Sequence, residues 1–241
     1  MLSPRVRLFV VLATVFVTCL TVGDIIGGKL IETQLLGQSF IVTVGMIPFP
    51  VTFLLTDVLN EFYGKRAARF VTVVGFMMAV LAYAFIYIAV VIPIAPLTQA
   101  PDFTGVRSAA FDNVFAGSRR MILASMVAYI TAQLVDIFVF HALKRVTANK
   151  LLWLRATGST VVSQFIDTVV INSVAWVGIL EADQIMRVVF SAYSLKILIA
   201  IGLTPLIYLA HSVVQRGFGI EPVLLDAQGE PMLAPEAAKA E

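Results

Sequence analysis

Asp57, Asn60 and Glu61 stand at i, i+3 and i+4 within PFPVTFLLTDVLNEFYGKRAAR, residues 48–69. On a helix they share one face. Two carboxylates and an amide in an apolar run are chemistry for binding: the carboxylates accept hydrogen bonds, and the amide both donates and accepts. Acids at membrane depth are costly and usually face a cavity or a partner. Two further segments repeat the theme, Gln133 with Asp136 and Gln164 with Asp167, each an amide followed one turn later by a carboxylate. Their helices run in opposite directions, so the two pairs can grip one ligand from both sides, although so short a pattern also arises by coincidence. Lys196 is the one cation well inside an apolar stretch. It is expected to pair with Asp167 or Asp24, the acids nearest in depth, either as an architectural ion pair or for binding or coupling.

Metal and covalent chemistry have little to work with. His141 and His211 stand near helix ends with no Cys or His companions, and carboxylates alone make a poor transition-metal site. No metal and no cofactor is expected. Cys19, the single cysteine, excludes a disulfide framework and reads as a small packing residue. Neither Gly-x-Ser-x-Gly, a paired-histidine zinc motif nor a phosphate loop is present. Asp136 and Asp167 lack the sequence context of intramembrane aspartyl proteases, so the chain is not expected to be an enzyme.

These residues need elements to hold them, and the composition says what kind. The chain has 241 residues, of which 59% are hydrophobic and 13% charged, with a mean hydropathy of +0.94. A soluble domain carries roughly a quarter charged residues, so this is an integral membrane protein. A spanning helix needs about 20 apolar residues, and five stretches supply them: roughly 6–26, 68–94, 119–143, 157–180 and 188–213. The opening run adds a sixth, short helix of about 15 residues, or roughly 22 Å. Short, Gly/Pro-interrupted segments point to transporter sites. The reading is therefore an all-α membrane protein of six transmembrane helices, residues 1–216, followed by a Gly, Pro, Ala and acid-rich tail, 217–241, expected to be disordered.

The formal charge of +2 and pI near 8.8 suggest nucleic acid until the charges are located. They sit between spans, so no nucleic-acid partner is expected. Arg5, Arg7, Lys65, Arg66, Arg69, Lys144, Arg145, Lys150, Arg155, Arg216 and Lys239 fall on one side, against Lys29, Arg107, Arg119, Arg120 and Arg187 on the other. Basic residues favour the cytoplasm, which puts both termini there. Residues 29–47 alternate partly and turn at Gly37-Gln38, consistent with an extracytoplasmic hairpin or an irregular loop. Ala124, Ala128 and Ala132 form a ridge that admits a close helix neighbour, within the monomer or in a homodimer.

Depth groups the acids. Asp57 lies eight residues before Lys65 and Asp136 eight before Lys144, each about 12 Å from the basic flank. Asp167, twelve beyond Arg155, is about 18 Å in. Glu61, four residues before Lys65, is expected to pair with that basic turn and hold an inner gate.

Four segments now carry a resemblance: PFPVTFLLTDVLNEFYGKRAAR, AYITAQLVDIFVFHALK, LWLRATGSTVVSQFIDTVVINSV and AYSLKILIAIGLTPLIY. In order and spacing the chain resembles the queuosine precursor transporter family, also called the vitamin uptake transporter family, over about residues 48–208. The resemblance implies a multi-pass importer of the cell inner membrane for 7-cyano-7-deazaguanine or a related 7-deazaguanine. Its architecture would be similar to the substrate-binding subunits of energy-coupling-factor transporters, working by secondary transport without their ATPase. The alternative is such a subunit of an ATP-driven vitamin transporter. Carried over by motif, Asp57, Asn60, Gln133, Asp136, Gln164, Asp167 and Lys196 are substrate-binding positions. Asn172 is a further polar candidate, and Asp24, Lys29 and Glu61 are assigned to gating or coupling. Asp24 departs from the family pattern, where an asparagine is expected. A deazaguanine edge offers two donors beside a carbonyl, which a carboxylate and an amide NH₂ one turn apart can meet. Phe165, Tyr129, Tyr193 and Trp176 are candidates for an aromatic wall. An excess of core acids suggests inward proton movement as the driving force.

Overall fold

The computed structural model describes residues 2–27, 29–35, 37–115, 119–178, 181–225 and 231. It is helical apart from one hairpin. Helix α1, Pro4–Ile26, starts where Ser3 accepts a bond from Val6 N and Pro4 occupies the first helical position. Strands β1, Leu30–Leu35, and β2, Gln38–Thr43, pair antiparallel from Leu30↔Thr43 to Leu35↔Gln38. Their turn contains Gly37 at φ 78, close to where the alternating pattern predicts it, and Phe40 packs the hairpin onto Leu195.

Helix α2 runs Phe49–Val91 but breaks at Gly64, whose φ of 76 and ψ of 176 suit glycine alone. The expected short helix is its first part, 49–63. Then follow α3, Ser108–Phe115, α4, Arg119–Val146, α5, Leu152–Trp176, and α6, Ala182–Ser212. Glu181 and Gln184 close a reciprocal cap at the start of α6.

Four segments among the described residues are long and apolar enough to cross a membrane: Pro4–Ile26, Val44–Val91, Leu123–Val146 and Ala182–Gly217. The protein is thus an all-α membrane protein that passes through the bilayer several times. Helix α5 stands outside this set although it has 25 residues, because Arg155, Gln164, Asp167 and Asn172 share it with six Ser and Thr.

Two apolar clusters fix α2. Phe16, Leu59, Val71 and Tyr129 join α1, α2 and α4, and Gly75 makes room for them, since a Cβ there would stand 2.8 Å from the Tyr129 hydroxyl. Leu8, Val58, Phe62, Val214 and Ile220 join the first part of α2 to both ends of the chain. The alanine ridge is buried inside the monomer, with Ala124 and Ala128 fully covered. Of the tail expected to be disordered, residues 226–230 and 232–241 lie outside the described residues. Residues 218–225 run back along the bundle, where Ile220 and Leu225 are buried.

Candidate functional site

The polar side chains fall into three clusters in series along the first part of α2. The first is ionic and sits where that helix ends. Glu61 Oε2 accepts from Lys144 Nζ at 2.9 Å and from Arg155 Nε at 3.1 Å, and Oε1 accepts from Arg155 Nη2 at 2.6 Å. Lys144 is fully buried and Arg155 is 3% exposed. His211 Nε2 stands 3.9 Å from the same carboxylate. The break at Gly64 explains the location: it leaves the last carbonyls of the helix without intrahelical donors. Glu61 O takes Val223 N at 2.8 Å and Lys144 Nζ at 3.4 Å instead. Phe62 O takes Arg5 Nη2 at 2.7 Å.

Arg155 also ties down the α4–α5 turn, donating through Nη1 to Asn149 O at 2.8 Å and Lys150 O at 2.9 Å. That turn carries three non-glycine residues at positive φ, Ala148, Asn149 and Leu151. The Asn149 side chain in turn holds the returning segment, accepting from Leu225 N at 2.8 Å and donating to Leu225 O at 2.9 Å.

The expected pairing of Glu61 with Lys65 is corrected here. Lys65 lies beyond the break and rests over the Phe138 ring, 5.7 Å from its centre, while the partners of Glu61 come from α4 and α5. Lys144 and Arg155, counted in the sequence among flanking charges, are the residues that a buried Glu61 required.

The second cluster is one turn deeper. Asp57, 4% exposed, lines a small cavity with Phe53, Leu54, Ala156, Thr157, Thr160, Ala200, Leu203 and Ile207. It has room for about one water. Asp136 lies within electrostatic range of Asp57 and accepts from Ser163 Oγ at 3.0 Å. Asn60 is fully buried, and both atoms of its amide lack a hydrogen-bond partner; the Gln164 Oε1 is likewise buried and unpartnered. A buried polar atom left unpaired costs roughly 1–3 kcal/mol.

The third cluster holds Lys196, which donates to Asp167 Oδ2 at 2.5 Å. Its ammonium also sits 5.3 Å from the centre of the Phe49 ring. Asp167 is therefore the partner among the two expected. Asp24 takes another role, accepting from Ser125 Oγ at 2.9 Å and so linking α1 to α4, within electrostatic range of Asp167.

Asp57 and Asp136 lie within electrostatic range of each other, Asn60 follows Asp57 by three residues on α2, and Gln164 follows Ser163, the donor to Asp136, on α5. The two Gln-x-x-Asp pairs are offset: Asp136 joins α5 at Ser163, next to Gln164, whereas Asp167 is engaged by α6. Asn172 turns back on its own helix, donating through Nδ2 to Thr168 O at 2.7 Å. Gln133 is half-buried, and Lys29 is exposed before the hairpin and joins none of the three clusters. His141 is buried with Nε2 unpartnered. Among the described residues no group of three His, Cys, Asp or Glu is arranged to hold a metal ion.

Residues 43–210 match the family model described as "Putative vitamin uptake transporter". The chain is 33% identical over 173 residues to a protein of Bacillus subtilis (strain 168) named "Probable queuosine precursor transporter", covering 71% of this chain and 72% of that one. It is 31% identical over 139 residues to the Haemophilus influenzae protein of the same name, covering 57% and 53% of the two chains. To the "Queuosine precursor transporter" of Escherichia coli (strain K12) it is 27% identical over 166 residues, 68% of this chain and 69% of that one. No solved structure matches it significantly. With the family model spanning more than half the chain, the chain belongs to the vitamin uptake transporter family, which includes the queuosine precursor transporters.

Proposed function

We propose that this protein imports a 7-deazaguanine precursor of queuosine, 7-cyano-7-deazaguanine or its relative, across the cell inner membrane by secondary transport. The bundle crosses six times with both termini in the cytoplasm, the two parts of α2 counting as separate spans. One observation carries the reading: Asn60 and Gln164 keep three buried amide atoms without partners, with Asp57 one turn before Asn60 on α2 and Ser163, the donor to Asp136, next to Gln164 on α5. Unpaired amides beside Asp57 and Asp136 present the donors and acceptors that a guanine-like edge requires. The carboxylates take the ring N–H and exocyclic amine, and an amide NH₂ serves the ring carbonyl.

The cavity at Asp57 is too small for a bicyclic base, so binding requires α2, α5 and α6 to separate. Pro205 lies within the stretch of α6 that lines it, and a proline inside a helix removes one backbone bond and supplies a bending point. Binding at mid-membrane with rocking of the surrounding helices is alternating access. Asp57, Glu61, Asp136 and Asp167 outnumber Lys196, Lys144 and Arg155, which supports coupling to inward proton movement. Collapsing the proton gradient is expected to stop uptake.

The direct test is uptake of labelled 7-cyano-7-deazaguanine by cells that cannot make it. Asn60→Ala and Asp136→Asn, expressed to the wild-type level, are expected to abolish accumulation. Full uptake by both variants removes this site from consideration.

A further inference from the structure

We propose that Phe53 is the aromatic wall on which the planar base stacks, an assignment that rests on reading the Asp57 region as a base-binding site. Phe53 precedes Asp57 by four residues, so ring and carboxylate share one helix face, about 6 Å apart along the axis. Both line the same cavity, with the hydroxyl residues Thr157 and Thr160 supplied by α5. A base lying flat on the ring would bring its polar edge to the next turn, where Asp57 and Asn60 stand.

The ring is half-buried and braced from behind. Phe49 packs against it with ring centres 3.9 Å apart at an interplanar angle of 56°, and Phe49 itself is held under the Lys196 ammonium. The remainder of the cavity wall is aliphatic: Leu54, Ala156, Ala200, Leu203 and Ile207. Separation of α5 and α6 from α2 therefore opens a slot with an aromatic face on one side and small or aliphatic residues on the other.

Of the four aromatic candidates read from the sequence, three are engaged elsewhere. Tyr129 packs with Phe16, Leu59 and Val71, and its hydroxyl donates to Thr72 O at 3.1 Å. Tyr193 donates to Val161 O at 3.0 Å and meets Phe165 edge-on, with ring centres 5.5 Å apart. Phe165 is half exposed on the outside of the bundle. The Trp176 side chain lies outside the described residues. Phe53 escapes a sequence search because it is one apolar residue in an apolar run.

The test is a binding titration of purified full-length protein with 7-cyano-7-deazaguanine, its aminomethyl analogue and guanine. Wild type is compared with Phe53→Leu and Phe53→Trp, and thermal melting is followed in parallel. Base–aromatic stacking tolerates changes at the edge of the base, so Phe53→Leu is expected to weaken every base that wild type binds by about tenfold, or about 1.4 kcal/mol. Phe53→Trp is expected to return affinity to within a few-fold of wild type. Wild-type affinity in Phe53→Leu overturns the assignment while leaving the base-binding reading in place. Equal loss in both variants with unchanged melting also overturns it, because the ring would then be shaping the site without stacking. Absence of binding of all three bases by wild type overturns the base-binding reading, and the assignment with it.

Discussion

Asn60 and Glu61 are neighbours in sequence, both buried, and they live in opposite circumstances. Glu61 has two cations on its carboxylate and two donors on its backbone carbonyl, whereas the amide of Asn60 has none. A buried charge survives only when paired, and Glu61 is paired to the point that α2, α4, α5 and the segment after α6 all meet at it. That end of the bundle is fastened. Next to it the Asn60 amide and, on α5, the Gln164 Oε1 are buried without a partner.

The sharpest way to break the comparison is to remove the acid. Glu61→Gln leaves Lys144 and Arg155 buried without a counter-charge, and stability is expected to fall by about 3–5 kcal/mol, read as a large drop in melting temperature in detergent. A second substitution, Lys144→Met, is expected to recover part of the loss; a melting temperature unchanged by Glu61→Gln would mean that this end is not the fastened one.

Gly64→Ala probes the same end more mildly. It forces a Cβ onto a backbone at φ 76 and ψ 176, a region close to glycine-only, for which about 1–3 kcal/mol is expected. An alanine variant as stable as wild type would show that the break relaxes without cost.

The smallest change in stability is expected from Asn60→Leu, which replaces an unpaired amide by an apolar group of similar size. Melting should stay level or rise slightly, while uptake of the labelled base disappears. Loss of stability with uptake intact would reverse the contrast and make Asn60 a structural residue.

Much of this arrangement was legible in the sequence. Hydropathy outlined the long helices, and the apolar run closing on GKRAAR announced a short helix, which the structure ends at Gly64. Intramembrane acids flagged Asp57, Glu61, Asp136 and Asp167, because few other reasons place a carboxylate there. The partners were harder to find. Lys144 and Arg155 lie at helix ends, where basic residues ordinarily meet water and headgroups, so nothing local distinguishes a buried ion pair from a flanking charge. Their involvement was implied only by the need of Glu61 for a cation. Asn172 looked available, yet a side chain that can reach its own helix carbonyl often does so. The returning segment 218–225 was hidden by the Gly and Pro content of its surroundings, since its anchors are backbone groups that carry no sequence signature. Phe53 was invisible for the reason that most of its neighbours are also apolar.

The double capping of α2 has a consequence for assembly of the protein. The carbonyls of Glu61 and Phe62 are claimed by Val223 and Arg5, residues translated after α6 and before α2 respectively. Arg5 is available before α2 exists, but Val223 follows every helix of the bundle. Insertion of the spans therefore precedes completion of the turn at Gly64, and the newly made protein passes through the bilayer with that end still unfastened. A segment translated after α6 is the one that closes that end.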